Sequence, residues 1–376
     1  MPTMSLKYKL KLLSNFILDG RFREIYNMFW VYPLWWNRKW AAFILNKLFP
    51  RFGIDLFPPF LEIEHTTACN LKCVCCEHTY WKEPPKNMSF QDFKKIFDSF
   101  GKPKWLGLTG IGSSYLNPDY HKMMAYAKKK GTIVEIFDHF AHFKDDKKIK
   151  ELIEIGPDFQ FISTYGASKK SFENVCVNSN YNLVIKNIKR FVQLKKQMKK
   201  RFPILSFHYI VTSESKDEVL KFLDFVHSLD TEVAEVLVTP MMHTFKEAAK
   251  YATDIDGDYV EKIGEKAREY NIPITINMCV KKETEGLERK PPINNCREYI
   301  MPFIFVTGHV VPCCAQNEAN VREKQKKTSL GNVFQEDFRK IWYSPRYKKL
   351  RQDIIKNKCP EVCALCPAYE ETGLRK

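Results

Sequence analysis

Three cysteines in one short segment give the clearest indication of chemistry in this sequence. Cys69, Cys73 and Cys76 have the spacing C-x3-C-x2-C and follow the short, mainly apolar run 60–63. Three thiolates this close together can each bind one iron of a four-iron cluster, which leaves the fourth iron without a protein ligand and open to chemistry. The alternative is a run of buried or zinc-binding thiols, which the spacing and the preceding strand disfavour.

Six more cysteines lie towards the end of the chain and can form a second metal centre. They are Cys296, Cys313, Cys314, Cys359, Cys363 and Cys366. Pairs of C-x2-C type that lie far apart are typical of four-cysteine zinc sites as well as of iron–sulfur clusters. The residues alone are therefore compatible with either zinc or an iron–sulfur cluster at this second centre.

The first motif must be positioned by short apolar runs that alternate with helix-like stretches from residue 60 onward. The predicted strands are Phe60–Glu64, Trp105–Leu108, Ile133–Phe137, Phe159–Ser163, Ile204–Val211, Val233–Val238 and Ile274–Asn277. The predicted helices are Ser89–Phe100, Pro118–Lys130, Lys147–Ile155, Tyr181–Lys200, Ser215–Leu229 and Asp258–Tyr270. This alternation indicates parallel βα units of an α/β fold, and six or so units indicate an incomplete, open barrel.

The chain after about residue 290 has a different pattern. Residues 303–312 predict a hairpin with Thr307 and Gly308 at the turn, and two short helices are predicted at Gln335–Tyr343 and Arg346–Lys356. Chemistry in parallel barrels lies at the carboxyl ends of the strands. The Cys69–Cys76 loop follows the first predicted strand and therefore falls at that end.

The cysteine motifs resemble those of the radical S-adenosylmethionine (SAM) superfamily. The spacing of Cys296, Gly308 and Cys313, together with the stretch 331–345, resembles the SPASM/twitch extension of that family. The resemblance implies a partial (β/α)6 barrel, with SAM bound at the open iron of a [4Fe–4S] cluster. It divides the chain into a helical N-terminal arm (1–58), a radical SAM core (59–285) and an auxiliary-cluster domain (286–376).

The resemblance also implies the chemistry and the ligands. An electron from the cluster held by Cys69, Cys73 and Cys76 splits SAM, and the resulting 5′-deoxyadenosyl radical abstracts hydrogen from a substrate. The full two-cluster SPASM pattern needs more cysteines than this chain has left, which favours one auxiliary [4Fe–4S] cluster. Its expected ligands are Cys296, Cys313, Cys363 and Cys366, with Cys314 and Cys359 as alternates. Flavodoxin or ferredoxin is the kind of electron donor implied.

Several SAM contacts are carried over from the family, and three positions depart from its pattern. The expected contacts are Gly110, Gly112, Ser113, Ser163 and Tyr80. Ser113 stands where a Glu is expected, Tyr165 where Asp is frequent, and Cys176 where Arg is frequent. A hydroxyl in place of a carboxylate loses a charge-assisted hydrogen bond to the SAM ammonium group. Glu135 is a candidate substitute acid, although an ordinary solvent-facing strand residue is the preferred interpretation of its position.

The N-terminal arm is basic and rich in tryptophan. Residues 1–50 carry eight Lys/Arg and two Asp/Glu, and Trp30, Trp35, Trp36 and Trp40 lie between residues 26 and 48. Its uncharged stretches are shorter than the roughly 20 residues that cross a bilayer. Packing on the main domain is the preferred interpretation; peripheral contact with a membrane is an alternative, and nucleic acid is a weaker one.

The sequence says less about the cellular compartment and the substrate class than about the cofactors. Twelve cysteines without a recognisable export signal favour metal ligation in a reducing cytoplasm over disulfides. The substrate classes that remain open are a small molecule, a sugar, a lipid and a peptide. Three alternative functions remain: a ribosomal-peptide maturase, a non-catalytic iron–sulfur scaffold or electron-transfer protein, and a zinc-stabilised nucleic-acid binder. The maturase would need a peptide-recognition domain, and none is evident in residues 1–58.

Overall fold

The computed structural model of the 376-residue chain describes residues 6–35, 38–241, 246–276, 296–314, 319 and 321–363. Eleven strands are present in these ranges. They are β1 (Phe60–Glu64), β2 (Lys72–Cys73), β3 (Trp105–Thr109), β4 (Ile133–Asp138), β5 (Phe159–Thr164), β6 (Cys176–Val177), β7 (Ile204–Val211), β8 (Val233–Pro240), β9 (Ile274–Ile276), β10 (Phe303–Ile304) and β11 (Val310–Val311).

The α-helices surround the sheet and extend to both ends of the described chain. They are α1 (Leu6–Leu18), α2 (Phe22–Trp35), α3 (Arg38–Phe43), α4 (Phe49–Arg51), α5 (Phe90–Phe100), α6 (Tyr120–Lys129), α7 (Asp146–Ile155), α8 (Lys169–Val175), α9 (Tyr181–Gln197), α10 (Val219–Ser228), α11 (Gly257–Glu269), α12 (Arg322–Thr328), α13 (Phe338–Trp342) and α14 (Pro345–Ile355). Within the described ranges, no helix has both the length and the hydropathy that crossing a membrane requires.

The main sheet is the open parallel barrel that the sequence predicts. Its strand order is β11-β10-β1-β3-β4-β5-β7-β8-β9, and all neighbours from β10 to β9 run parallel. The strands from β1 to β8 are followed by helices that pack on the outer face. Each of the seven predicted strands is found, with ends that differ by at most two residues; Asn277, the last predicted residue, lies outside the described ranges.

Helix α5 shows how the local sequence produces the outer layer. The side chain of Ser89 accepts a hydrogen bond from the backbone NH of Asp92 and begins the helix, and Gly101 ends it in the left-handed conformation. Its buried positions recur at helical spacing and face the barrel: Phe93, Ile96, Phe97 and Phe100. Helix α8 and the two-residue strand β6 were not predicted, because seven and two residues are too short to show a period.

The N-terminal arm packs against the amino-terminal end of the barrel. Leu12 and Phe16 of α1 form a buried cluster with Phe202 and with the first residues of three strands, which are Ile133, Phe159 and Ile204. Polar contacts surround this plug: the Arg21 guanidinium donates to Asp158 at 2.7 Å, and Lys128 donates to both Glu24 and Asp158 at 2.7 Å. The arm therefore covers the mouth of the barrel opposite the cysteine loop.

The C-terminal region joins the same sheet. The predicted hairpin forms with Gly308 at its turn (φ 81°), and β10 pairs with β1 through Glu62↔Phe303 and Ile63↔Ile304. Phe338 and Trp342 of α13 pack on Phe57 and extend the main hydrophobic core. The first strand of the barrel thus has the C-terminal region as its neighbour on one side.

Candidate active site

The loop after β1 places the three cysteines at the carboxyl end of the barrel. Burial, together with a charge on Cys73, raises the pKa of Cys69 to about 11 and that of Cys76 to about 12. Three neighbouring thiolates that are partly or fully buried need cationic compensation, and bound metal deprotonates a coordinating thiol outright. This donor set therefore fits the [4Fe–4S] cluster, and we propose Cys69, Cys73 and Cys76 as its ligands.

Two of the departures from the family pattern border this loop. Cys73 in β2 is directly opposite Cys176 in β6, and a hydrogen bond between the two thiols lowers the pKa of Cys73. Burial raises the pKa of Tyr165, and the neighbouring thiols of Cys75 and Cys73 raise it further. Tyr165 and Cys176 are thus neighbours of the cysteines, and Cys176 also belongs to the buried core at 1% exposure.

The glycine loop after β3 packs directly on the backbone that leads into the cysteines. A Cβ on Gly112 would lie 2.6 Å from the carbonyl oxygen of Thr66 and 2.7 Å from that of Ala68. Gly110 adopts a φ of 142°, and a Cβ there would lie 2.8 Å from Cγ of Glu64. Gly112 requires glycine because the two loops touch through their main chains, and Gly110 requires it because of its positive φ and the close approach of Glu64.

Ser113 is held between two histidines that follow β4. Its Oγ lies 2.9 Å from Nε2 of His139 and also contacts Nε2 of His142, and its backbone NH donates to the carbonyl of Ala68 at 2.7 Å. Burial lowers the pKa of His139 to about 4 and also lowers that of His142. The position expected to carry an acid is therefore surrounded by neutral imidazoles.

The two other candidate SAM contacts lie at the same end of the barrel. Ser163 is the last residue but one of β5, is half-buried, and pairs in register with His208. Tyr80 follows the cysteine loop, is 37% exposed, and its hydroxyl donates to the carbonyl of Val74 at 3.2 Å. Both positions remain predictions as SAM contacts.

Three carboxyl groups from different strands lie inside the barrel, below the cysteine loop. Burial raises the pKa of Glu62 to about 7, and burial together with charges on Glu62 and Glu235 raises the pKa of Glu135 to about 8. Burial also raises the pKa of Glu235. The interpretation of Glu135 as a solvent-facing residue is wrong, because its strand turns it towards the interior.

Glu135 is also not the acid that replaces the missing one at Ser113. It lies three residues before the end of β4, which is about 10 Å along the strand. The side chains that contact Ser113 are instead His139 and His142, beyond the end of that strand. Glu135 therefore belongs to a deeper layer of the barrel than the predicted SAM contacts.

We expect the Glu135→Gln protein to lose part of the wild-type pH dependence of stability. A carboxyl group with a pKa raised from 4.5 to about 8 binds more protons in the folded than in the unfolded state between those values. Wild-type stability therefore falls as pH rises through that interval, whereas a neutral amide has no such cost. Thermal unfolding under anaerobic conditions should show the variant more stable than wild type above about pH 8, with the gap closing by about pH 5.

A matched control for Glu135→Gln is Glu154→Gln, which changes an exposed glutamate on α7. This control should keep the wild-type pH profile. If Glu135→Gln and Glu154→Gln gave the same profile, the interior position of the Glu135 charge would be contradicted.

Three of the four expected auxiliary-cluster ligands gather around two buried tyrosines. Burial raises the pKa of Tyr347, and charges on Cys313 and Cys363 raise it further. The Tyr347 hydroxyl donates to the carbonyl of Tyr299 at 3.4 Å, and Cys296 likewise raises the pKa of Tyr299. These neighbouring thiols fit a shared metal centre, and we propose them as ligands; Cys366 lies outside the described residues.

The two alternate cysteines have other contacts. Cys314 forms a hydrogen bond with the interior carboxyl group of Glu62, and the thiol of Cys359 donates to the carbonyl of Pro360 at 3.5 Å. Cys314 is therefore directed at the lumen of the barrel, whereas Cys313 beside it lies near Tyr347. This arrangement supports Cys313 over Cys314 as the auxiliary ligand.

A buried ion pair connects the barrel to the C-terminal region next to these cysteines. Nη2 of Arg322 in α12 lies 2.9 Å from Oε2 of Glu64 in β1, and the two side chains are 3% and 1% exposed. The backbone NH of Val306 donates to the other carboxylate oxygen at 3.2 Å, and the Arg322 guanidinium lies 3.9 Å above the ring of Phe305. Glu64 therefore contacts the glycine loop and the C-terminal region at once.

An open parallel barrel with a three-cysteine loop after its first strand defines a class of iron–sulfur enzyme. Residues 63–226 match the radical SAM superfamily, and residues 296–367 match the SPASM iron–sulfur cluster-binding domain. The chain therefore belongs to the radical SAM superfamily and carries a C-terminal SPASM domain. These domains confirm the predicted cofactors, which are a [4Fe–4S] cluster, SAM and an auxiliary iron–sulfur cluster.

Individual relatives extend this comparison. The tungsten-containing aldehyde ferredoxin oxidoreductase cofactor-modifying protein of Pyrococcus furiosus is 25% identical over 328 residues, which cover 82% of this chain and 86% of that protein. SuiB of Streptococcus suis bound to SAM has a TM-score of 0.61 at 17% identity, over 81% of this chain and 70% of SuiB. SuiB bound to its precursor peptide SuiA has a TM-score of 0.59 at 16% identity, over 81% and 69%. At these identities the SuiB structures show a shared fold.

Several residues that the structure brings to the site were not predicted from the sequence. His139 and His142 contact Ser113, and the signal for them was an Asp-His-x-x-His run directly after an apolar strand. Glu62 and Glu235 join Glu135 inside the barrel, and the signal was an acidic residue within an otherwise apolar strand. His65, at the start of the loop after β1, is stacked on Tyr120 with a ring separation of 4.5 Å.

Proposed function

We propose that this enzyme cleaves SAM reductively at the cluster held by Cys69, Cys73 and Cys76, and uses the product radical on a substrate in the barrel. When bound, the cluster and SAM supply a 5′-deoxyadenosyl radical that abstracts hydrogen. The observation that carries the proposal is the convergence of the cysteine and glycine loops at one end of the barrel. Gly110 and Gly112 fit the two loops together, and Ser113 is held beside them by its backbone NH, which donates to the carbonyl of Ala68.

The interior of the barrel supports a polar substrate. Glu62, Glu135 and Glu235 come from three different strands and have raised pKa values, so that their carboxyl groups are protonated near neutral pH more often than free ones. Such groups can donate and accept hydrogen bonds or exchange a proton with a substrate. A lipid tail would leave them without partners at a cost. We therefore propose a small polar molecule as substrate.

The relative from Pyrococcus furiosus supports the same choice, because its name describes a protein that modifies an enzyme cofactor. We propose a cofactor or cofactor precursor as the substrate class for this chain. A ribosomal-peptide maturase is the second candidate, and the likeness to SuiB with bound precursor peptide favours it. The described residues between 6 and 58 contain only helices, without the strands that a winged-helix peptide-binding domain contains.

The proposal is tested with the anaerobically purified and reconstituted chain. Iron and sulfide are counted, dithionite and SAM are added, and 5′-deoxyadenosine is measured. We expect about eight irons per chain and formation of 5′-deoxyadenosine that requires both reductant and SAM. Iron-loaded protein that neither binds SAM nor forms 5′-deoxyadenosine would contradict the proposal and favour the non-catalytic scaffold. A flavodoxin or ferredoxin should be able to replace dithionite.

The N-terminal arm supports an additional contact with an anionic membrane surface. On α2, the side chains of Phe22, Tyr26, Phe29 and Trp30 share one helical face and are 55–69% exposed. An exposed aromatic face on a basic segment suits the interface of an anionic bilayer. The opposite face of α2 packs on the barrel, so the packing interpretation and the membrane interpretation apply to different faces of one helix.

We expect the wild-type protein to sediment with vesicles that contain phosphatidylserine and to remain in solution with phosphatidylcholine alone. Phe29→Glu should weaken this binding, because it places a like charge in the apolar face next to the lipid headgroups. Ile355→Glu, at an exposed apolar position on α14, is the matched control and should bind as wild type does. Equal sedimentation of Phe29→Glu and wild type would contradict the arm as the contact.

A further inference from the structure

A group of metal-ligating side chains lies at the carboxyl end of β4, separate from the cysteines. Ligand atoms of Asp138, His139 and His142 all lie within 4.8 Å of one another, and among the described residues this is the only such group of three or more. Asp138 is the last residue of β4, and the histidines follow it in the next loop. The strand end therefore fixes the carboxylate, and the loop folds both imidazoles towards it.

One oxygen of Asp138 points to a missing partner. Asp138 is 6% exposed, and its Oδ1 accepts a hydrogen bond from the backbone NH of Phe140 at 2.6 Å. Its Oδ2 is buried and, among the described residues, has no hydrogen-bond partner. A buried carboxylate oxygen without a partner is costly. A cation bound between Asp138 and the two histidines would remove that cost.

We propose that Asp138, His139 and His142 bind a divalent transition-metal ion that is distinct from both iron–sulfur clusters. Two imidazoles and one carboxylate are a ligand set for Zn²⁺ and related ions, and three protein ligands leave a coordination position open. The ligand atoms lie within 4.8 Å of one another, so small side-chain movements would bring them to the distances found between the ligands of a single metal ion.

The hydroxyl of Ser113 completes the surroundings of the site. Its Oγ contacts Nε2 of His139 and of His142, so it occupies the space between the two rings. Metal binding through both Nε2 atoms would displace the Ser113 hydroxyl from them. A neutral imidazole bound through Nε2 carries its proton on Nδ1, so Nδ1 of His139 would also stop accepting the 3.2 Å hydrogen bond from the NH of Ala141. The hydroxyl then lies beside the metal, where it can bind the ion or hydrogen-bond its open ligand.

The position of the site suggests what the open coordination position would take. A charge on Asp138 raises the pKa of Cys69, so the carboxylate lies near the first cysteine of the loop. The metal would therefore sit at the same end of the barrel as the predicted SAM site and above the interior carboxyl groups. An oxygen donor of the substrate, such as a carboxylate or phosphate, is the class of ligand that an open position on such an ion binds.

The test is a metal count on the reconstituted full-length protein, because both cysteine sets are then occupied by iron. The protein is incubated with Zn²⁺, passed through a desalting column, and analysed for zinc and iron. We expect about one zinc per chain in the wild type. In Asp138→Asn and His142→Ala, zinc affinity should fall by at least about 10- to 100-fold with iron unchanged. His121→Ala, which changes a histidine on α6 that pairs with Glu151, is the control and should keep its zinc.

Two outcomes overturn the inference. Wild-type protein that retains no zinc above the His142→Ala level would show that the cluster of side chains binds no metal. Zinc that all variants retain equally would place the metal elsewhere. A crystal of the zinc-loaded protein gives an independent measurement, since anomalous scattering at the zinc edge should lie between Asp138, His139 and His142. Loss of iron in Asp138→Asn would indicate misfolding, and His142→Ala then carries the comparison.

Discussion

Replacing Cys73 with alanine is expected to abolish 5′-deoxyadenosine formation and to lower the iron content from about eight to about four per chain. Cys73 is 8% exposed and lies in β2 between the other two cysteines of its loop. Its loss leaves two thiols, too few to hold a cluster with one open iron. Cys296, Cys313 and Cys363 lie near the Tyr299–Tyr347 pair, in a different part of the fold, and should keep their iron.

The control for this experiment is Cys75→Ala in the same loop. Cys75 is not an expected ligand, so its replacement should keep all of the iron and SAM cleavage. Measured side by side, the two variants separate the loss of a ligand from the loss of a buried sulfur. Undiminished 5′-deoxyadenosine from Cys73→Ala would contradict the assigned cluster site, whatever the iron count.

The second large effect is expected at the ion pair of Glu64 and Arg322. The Arg322→Met protein keeps most of the side-chain volume but leaves Glu64 buried without its cation, which typically costs about 3–5 kcal/mol. The free energy of unfolding of the reconstituted protein, measured in urea, should fall by that amount. Lys326→Met on the same helix removes a more exposed ion pair with Glu83 and should cost at most about 1 kcal/mol.

A double variant tests whether the cost arises from the unpaired charge. Glu64→Gln combined with Arg322→Met removes both charges, so it should be less destabilised than Arg322→Met alone. The Val306 NH can still donate to the amide oxygen of the glutamine. If the double variant were as unstable as the sum of the two single variants, the ion pair would not be the source of the effect.

The barrel could be predicted well because each of its longer strands and helices carries its own period. The strand Ile204–Val211 was predicted to the residue, since a mainly apolar, β-branched and aromatic run of eight residues between helices has few other interpretations. The cysteine loop could be located from its spacing and the strand before it. The pairing of β10 with β1 could not, because it joins residues more than 200 positions apart and leaves no local signal.

The details of the site depended on contacts that only the folded chain reveals. Ser113 was recognised as a departure from the family pattern, but its two histidine neighbours lie 26 and 29 positions further along. Glu135 was identified as a possible acid, but its depth in the barrel follows from the register of β3 and β4, which pairs it with Gly107. The contacts of Ser113 depend on how two separate loops meet, and the depth of Glu135 depends on strand register. Neither feature produces a periodic pattern in the sequence.

The plug that α1 forms at the amino-terminal mouth of the barrel has a kinetic consequence. With Phe16 and Phe202 in edge contact beneath the first residues of β4, β5 and β7, the deep carboxyl layer is reached through the opposite mouth. A molecule bound at Glu135 must then pass the level of the cysteine and glycine loops on its way in and out. A barrel interior that opens at one end only imposes an order on its ligands. The molecule bound at the deep carboxyl layer must arrive first and leave last, and the ligand bound at the level of the loops sets how long both remain bound.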